Sequence, residues 1–224
     1  MNDRRKLFDD QADRYDGFVG SGPFPLAEYD EMLDRLVRMA AVEPGERVLD
    51  VGVGTGNLSQ RIHARGCEIW GIDFSPRMLD RARSKLPTAH LVCADLLDGW
   101  PPEVSGTFDA ILSAYVFHEF DTAGKLRVIA QLSEHLAGGG RLLIGDVAFE
   151  TGAELSAARQ TYAKWWEDED YWVAERDLPR LTERGFDASF HRVSFSGGIF
   201  RIAPRRSGAS PETDCGVDRS PPNP

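Results

Sequence analysis

An α/β fold, built on a doubly wound and mostly parallel sheet with one antiparallel hairpin at its edge, is what this sequence predicts. Three observations carry the prediction. Between residues 45 and 203, short apolar strand-like runs alternate with helix-like segments, the pattern of a parallel sheet covered on both faces. A glycine-rich turn, VLDVGVGTGN from Val48 to Asn57, joins the first strand to the helix after it. Near the end, Ser189–Phe195 and Ile199–Ala203 flank Ser196-Gly197-Gly198, which reads as a β-hairpin.

The elements follow in order. Residues 1–44 are polar and helical in pattern, with a break at Gly20-Ser21-Gly22-Pro23. From Leu26 to Val42, the apolar positions Leu26, Tyr29, Leu33, Leu36, Val37 and Ala40 recur at spacings of three and four, one face of a helix. Arg47–Val51 (RVLDV) is the first strand, and Thr55–Arg65 a helix stopped by Gly66, a residue suited to the left-handed position after a helix. Cys67–Ile72 is the second strand. Ser75-Pro76 then supplies an N-cap and a proline at the first helical position, opening a helix through Leu86. Ala89–Cys93 and Phe108–Ala114 are the third and fourth strands. Asp121 caps a helix to Leu136, closed by Gly138-Gly139-Gly140, and Arg141–Val147 is the fifth strand. Residues 204–224 hold five of the 13 prolines and no apolar pattern, so a disordered tail is expected there.

Composition narrows the function. With 224 residues and 42% hydrophobic content, the chain can bury one sizeable core. The opening MNDRRKLFDDQADRYD is charged, so no secretory signal is expected, and no run approaches the roughly 20 apolar residues of a membrane span. Cys67, Cys93 and Cys215 match neither a disulfide framework nor a zinc site, which suits a reducing, cytoplasmic setting. The net charge of −10 lies in the body, because the three arginines of the tail balance its three acids. An acidic body argues against nucleic acid as a partner.

The chemical signal is the glycine turn. Gly52, Gly54 and Gly56 leave no Cβ in the way of a ligand, and such a turn lies beyond the carboxyl ends of the strands, where α/β sheets bind ligands. The spacing is G-x-G-x-G, one residue short of the dinucleotide fingerprint. Asp50 offers an acceptor for an ammonium group, and Asp73, ending the second strand, can accept from both hydroxyls of a ribose. The bland alternative is an ordinary turn followed by a helix-capping Asp73.

With these residues in hand, the stretch from Arg47 to Ala148 resembles the core of the class I methyltransferases that use S-adenosylmethionine (SAM), in particular small bacterial enzymes related to the quinone and small-molecule branch. Val48–Gly56 is similar to the family's first motif, and Ile72-Asp73-Phe74-Ser75 with Met78 to its second. Cys93-Ala94-Asp95-Leu96 resembles the stretch that holds adenine, Phe108–Ser113 the fourth-strand motif, and Leu136–Ile144 the turn into the fifth strand. Phe8-Asp9, Ala12 and Tyr15-Asp16 look like an N-terminal segment that folds over the cofactor. The resemblance implies a Rossmann-like sheet of seven strands in the order 3-2-1-4-5-7-6. It also implies SAM as cofactor, S-adenosylhomocysteine (SAH) as product, and a cofactor site of Tyr15, Asp50, Gly52, Gly54, Gly56, Asp73, Phe74, Met78, Asp95, Leu96 and Ser113. Residues 1–44 would form a lid or substrate segment, residues 45–203 the catalytic domain, and a homodimer remains open.

The acceptor side is read from two places. His118, with Glu119, follows the fourth strand where acceptors lie in such enzymes, and is a candidate base; a histidine packed at a strand–helix junction is the alternative. Residues 150–177 form an insertion at the carboxyl end of a strand, with Trp165, Trp166, Trp172, Tyr162, Tyr171 and eight acids. Trp165, Trp166 and Tyr171 are candidates to line a pocket for a small-molecule acceptor, amine-bearing or cationic; the alternative is a helix that packs its tryptophans on the core. Ser113-Ala114-Tyr115-Val116 lacks the tetrapeptide of base-amine methyltransferases, and the histidines are too scattered for a metal cluster. An oxidoreductase of the NAD type and a non-catalytic SAM sensor are the competing readings.

Overall fold

The computed structural model describes residues 2–19 and 24–205. The expected break at Gly20–Pro23 and nearly all of the expected tail lie outside the described residues. The sheet is built from β1 (Arg47–Val51), β2 (Glu68–Asp73), β3 (His90–Cys93), β4 (Phe108–Ala114), β5 (Leu136–Phe149), β6 (Trp172–Val173), β7 (Phe186–Arg192) and β8 (Gly197–Pro204). Its order is β3-β2-β1-β4-β5-β8-β7, with the two-residue β6 beside the end of β5. Leaving out β6, this is the predicted order. Strands β1 to β5 are parallel, while β8 runs antiparallel to both β5 and β7.

Period-two alternation explains why both faces are covered. Val48, Leu112 and Leu143 pack in one apolar cluster, and their neighbours Leu49, Ile111 and Leu142 in another on the opposite face. Helix α3 (Tyr29–Ala40) brings Met32, Leu33 and Leu36 to the first cluster, all without solvent exposure. It can come close because β5 has a glycine there: a Cβ on Gly145 would lie 2.8 Å from both Leu36 Cδ1 and Met32 Sδ. The second cluster is covered by α6 (Thr122–Glu134) and α8 (Ala174–Glu183), through Val128, Ile129, Leu132 and Leu181.

Local signals held well at the caps. Ser75 Oγ accepts from Met78 N, opening α5 (Pro76–Lys85) at Pro76, and Asp121 accepts from Gly124 N ahead of α6. Gly66 sits at φ 85 past α4 (Asn57–His63).

Several boundaries differ by a few residues, and three of the shifts have a visible cause. Helix α3 starts at Tyr29 and not Leu26, because Glu28 takes a left-handed conformation at φ 60. The glycine triplet does not separate helix from strand: β5 begins at Leu136, opposite Phe108, with a register shift before Arg141 joins Ala110. The hairpin turn falls at residues 193–196, where Val193 N and Ser194 N both donate to Gly197 O. Gly198 belongs to the ladder, since a Cβ there would stand 2.2 Å from the Phe190 ring.

The N-terminal segment forms α1 (Asn2–Gln11) and α2 (Tyr15–Val19), which lie over α5 and the glycine turn. Their acids meet a row of partners: Asp9 with Ser75 Oγ at 2.6 Å, Asp13 with Arg77 and Arg81, and Asp16 with Lys85 Nζ at 2.6 Å and Thr55 Oγ1 at 2.5 Å. The insertion is not one helix. It contains α7 (Gly152–Thr161), a 3-10 turn at Ala163–Trp165, the short β6 and the start of α8. Among the described residues, no helix is long and apolar enough to cross a membrane.

Candidate active site

Strand β1 pairs with β2 on one side and β4 on the other, so the chain leaves the sheet in opposite directions from these two pairs. A crevice opens at that switch point, beyond the carboxyl ends of the strands. The cleft there lies between Val51, Gly52 and Gly54 of the turn, Asp73, Phe74 and Met78 after β2, Asp95 and Leu96 after β3, and Tyr115, Val116, Glu119 and Phe120 after β4. Arg4, Phe8 and Tyr15 close it from the N-terminal side. A smaller recess joins it past Gly52, Gly54 and Tyr15, and reaches Asp50 and Tyr29.

Each residue of the turn has its own reason. A Cβ on Gly52, at φ 69, would lie 2.2 Å from Val116 Cγ2, so only glycine lets the turn pass under the β4 loop. Gly54, at φ 52, has open space where a Cβ would stand apart from its own loop, and turns its N–H to Asp73 Oδ2 at 2.8 Å. Gly56 stands outside the cleft wall and lets α4 start close to α5, 3.1 Å from Leu86 Cδ1 at its would-be Cβ. Ser113 is also behind the wall: its hydroxyl donates to Val51 O at 2.8 Å and ties β4 to β1.

Two buried acids face the ligand side. Asp73 accepts from Gly54 N and Ser75 N, each at 2.8 Å, one on each carboxyl oxygen. Burial pushes its carboxyl up to about 6, against the pull of those two N–H groups. Asp50 takes the Ser59 hydroxyl at 2.7 Å and is pushed up to about 7, again by burial. Both are built to receive donors or positive charge, which would restore them to ordinary carboxylates. Opposite them, Phe8 meets Phe74 edge to face at 5.4 Å, and Arg4 spans from the Phe74 ring to the Glu119 carboxylate.

His118 lies elsewhere. It sits in a 3-10 turn, Phe117–Glu119, between cleft residues, with its ring turned to Asp146 of β5. Asp146 has no solvent exposure and accepts from His118 N and Val147 N at 2.8 Å, while its Oδ1 stands 2.5 Å from His118 Nδ1. Trp172 Nε1 donates to the same carboxylate at 3.3 Å, and Glu169 comes within 3.5 Å of His118 Nε2. Burial alone would push the imidazole down, but Asp146 and then Glu169 hold it protonated up to about 9.

The aromatics of the insertion divide. Trp166 is partly buried in a stack with Phe24 and Tyr162, Phe24 lying 5.5 Å from Trp166 and 5.1 Å from Tyr162, and the buried Tyr171 meets Phe24 and Trp166 edge to face. Trp166 and Tyr171 also border an outer recess with Arg159, Glu169 and Arg176. Trp165 is half exposed and carries Lys164 over its ring. Trp172 packs into the core beside Phe200.

Sequence reasoning missed Arg4, Tyr115 and Asp146. The repeat Asp9, Asp13, Asp16 against Arg77, Arg81, Lys85 was a readable sign of the helix pairing. Asp146 gave no local sign, because its partner is 28 residues away.

A family model described as a methyltransferase domain matches residues 48–140, from β1 into β5. An uncharacterized methyltransferase of Geobacillus kaustophilus (strain HTA426) is 32% identical over 194 residues, covering 82% of this chain and 89% of that protein. This chain belongs to the class I SAM-dependent methyltransferases. A second relative, an uncharacterized methyltransferase of Geobacillus thermodenitrificans (strain NG80-2), is 34% identical and covers 69% of this chain and 70% of its own length. Among solved structures, the fold is that of the magnesium protoporphyrin IX methyltransferase of Synechocystis PCC 6803, crystallised with SAH, with a TM-score of 0.70, 19% identity, and coverage of 92% of this chain and 99% of that one. A complex of DhpI with SAM and HEP matches with a TM-score of 0.69 at 20% identity, covering 89% and 95%. The methyltransferase thus carries its glycine turn, its two buried acids and the β4 loop around one cleft.

Proposed function

We propose that this methyltransferase moves a methyl group from SAM to a small-molecule acceptor, with the cofactor in the cleft at the β1–β4 switch point. The observation that carries the reading is Asp73. It closes β2 with one lone pair on each oxygen already given to a backbone N–H, which leaves a fixed, buried carboxylate with capacity for two more donors, as the vicinal hydroxyls of a ribose require. The residues present fit the rest of the group. Phe74, Met78 and Leu96 offer apolar walls beside Asp95 for a flat ring, and Asp50 and the Gly52–Gly54 turn offer acceptors and close backbone approach for an ammonium and its chain.

When bound, SAM supplies an activated methyl group whose sulfur leaves as a neutral thioether. The protein's share is then positioning, which for well-oriented reactants is worth up to about 7–11 kcal/mol of barrier. Tyr15, Arg4 and Phe8 of the N-terminal helices serve as the lid, excluding water from the cleft. His118 fixes the β4 loop to Asp146 and to Glu169 of the insertion; as a base it would act only once deprotonated, above about 9. Trp166 and Tyr171 shape the outer wall toward the acceptor, with Trp165 more peripheral.

Calorimetry with SAH and with NAD tests the cofactor assignment: SAH should bind far more tightly, and equal or tighter NAD binding ends it. A screen of metabolite fractions with methyl-labelled SAM tests transfer. Label that stays on SAM in every fraction, with SAH bound normally, would leave a sensor and not an enzyme.

A further inference from the structure

Two groups in the cleft wall stand apart from the glycine turn and its acids. Tyr115, directly after β4, is 6% exposed, and its hydroxyl is buried without a hydrogen-bond partner. Buried hydroxyls normally find one. The side chain is not there by slack: Tyr115 takes φ 57, its N donates to Gly145 O at 2.8 Å, and its ring stacks on Tyr29 at 5.5 Å. Glu119 is the second group. It faces the cleft with its side chain 10% exposed, and its carboxylate meets Arg4 of α1.

The surroundings select the chemistry of a partner. After burial, the groups that act on the Tyr115 phenol are the acids Asp146 and Glu28 as well as Tyr29. Tyr15, between the cleft and the recess, feels Asp73 and Glu119 together with Tyr29 and Tyr115. Aromatic rings and acids on the same walls favour a group that brings N–H donors and positive charge. A phosphate or carboxylate would face Asp73 and Glu119, with Arg4 already committed to Glu119 and His118 to Asp146. A thiol is too weak a donor to satisfy both a phenol oxygen and a carboxylate.

We propose that the acceptor is a small amine, whose N–H groups are taken by the Tyr115 hydroxyl and the Glu119 carboxylate between the rings of Tyr15 and Tyr29. The inference rests on the methyl-transfer reading above and names its substrate class. In the step, the amine reacts as its free base, the ammonium proton having been released to solvent; its nitrogen gives its lone pair to the methyl carbon as the carbon–sulfur bond breaks, and that bond's electron pair stays on sulfur. The surplus proton on nitrogen passes to the Glu119 carboxylate. The products are a methylated amine, the thioether and one proton on Glu119. Both residues touch the acceptor.

The test uses full-length protein, SAM carrying a carbon-13 methyl group, and a small-molecule extract of bacterial cells as the acceptor mixture. Carbon NMR tells whether the new methyl is bonded to nitrogen, oxygen or sulfur. The expected product is N-methylated, and at saturating SAM its formation falls at least tenfold in Tyr115→Phe and in Glu119→Gln. Independently of turnover, the purified product titrated into the SAH complex should bind at least tenfold more weakly to each variant. Tyr115→Phe keeps the stacked ring and removes an unpaired group, so its melting temperature should equal or exceed that of the wild type. An O- or S-methyl product overturns the amine assignment and leaves methyl transfer standing. N-methylation and product binding at wild-type levels in both variants overturn the site. No methylated product from any fraction removes this inference together with the transfer reading.

Discussion

Replacing Asp73 by asparagine tests the cofactor site with the least disturbance of shape. The carboxylate accepts Gly54 N and Ser75 N at 2.8 Å each. An amide has one oxygen, so one of these backbone donors must face an NH₂ group, and a buried unpaired donor costs about 1–3 kcal/mol. Against this, a neutral amide escapes the penalty of burial. The shift from 3.8 to about 6 corresponds to ~3 kcal/mol for the ionised acid at neutral pH. The two effects oppose each other at similar size, so the free variant should melt close to the wild type. Binding has no such offset. Hydrogen bonds to a charged group contribute about 1.5–3 kcal/mol, and losing one such acceptor should weaken SAH by roughly 10- to 150-fold. Calorimetry at pH 7.5 with a parallel thermal melt gives both numbers. The pH dependence supplies a second check. Free wild-type protein holds the Asp73 proton below about 6, so SAH affinity should fall as pH drops through that value, with proton release on binding there. Asp50, pushed up to about 7, begins the same loss earlier. A dissociation constant within threefold of wild type, in a folded variant, would return Asp73 to the role of a helix cap.

Further outcomes are expected from three other places. His118 is held protonated up to about 9, above its ordinary 6.5, so its contribution to stability is complete below 6.5 and lost as pH rises through 9. Chemical denaturation from pH 6 to 10 should show that fall, and Asp146→Asn should abolish it; a flat wild-type profile refutes the pairing. Gly52→Ala sets a Cβ 2.2 Å from Val116 Cγ2 at φ 69, which should cost about 2–5 kcal/mol from left-handed strain plus overpacking. A melt should drop by at least roughly 5 °C and recover in part in Gly52→Ala/Val116→Ala, whereas undiminished stability of the single variant contradicts the contact. The pairs of Asp13 with Arg77 and Arg81 are exposed and therefore weak and screened by salt. Hydrogen exchange over residues 2–19 should therefore quicken in about 1 M salt and in Asp13→Asn; exchange indifferent to both means apolar contacts alone hold these helices.

Much of the fold was legible because its causes are local. Ser75 and Asp121 cap helices through donors three residues on. Val48 and Leu49 go to opposite faces because a strand alternates. Gly54 and Asp73 meet because a turn and the end of the neighbouring parallel strand share one edge, a consequence of topology that alternation of strands and helices already implies. The hairpin was legible in kind and not in register. Two adjacent glycines read as a turn, but Gly198 is small because Phe190 crosses over it from the paired strand, and that crossing exists only once β7 and β8 align.

By itself, then, the sequence determined the element order, the parallel sheet with its reversed edge, and the ligand turn with acids at Asp50 and Asp73. Each of these follows from periodicity or from contacts a few residues long. Tertiary structure alone decided which groups face the cleft. The register of β4 on β5, with Ala114 opposite Gly145, carries His118 to Asp146 and commits its ring to a buried ion pair. The same register fixes Tyr115 through Gly145 and leaves its hydroxyl buried and unpaired. Such assignments depend on which side chains win burial and charge partners across dozens of residues, and no local pattern encodes that competition.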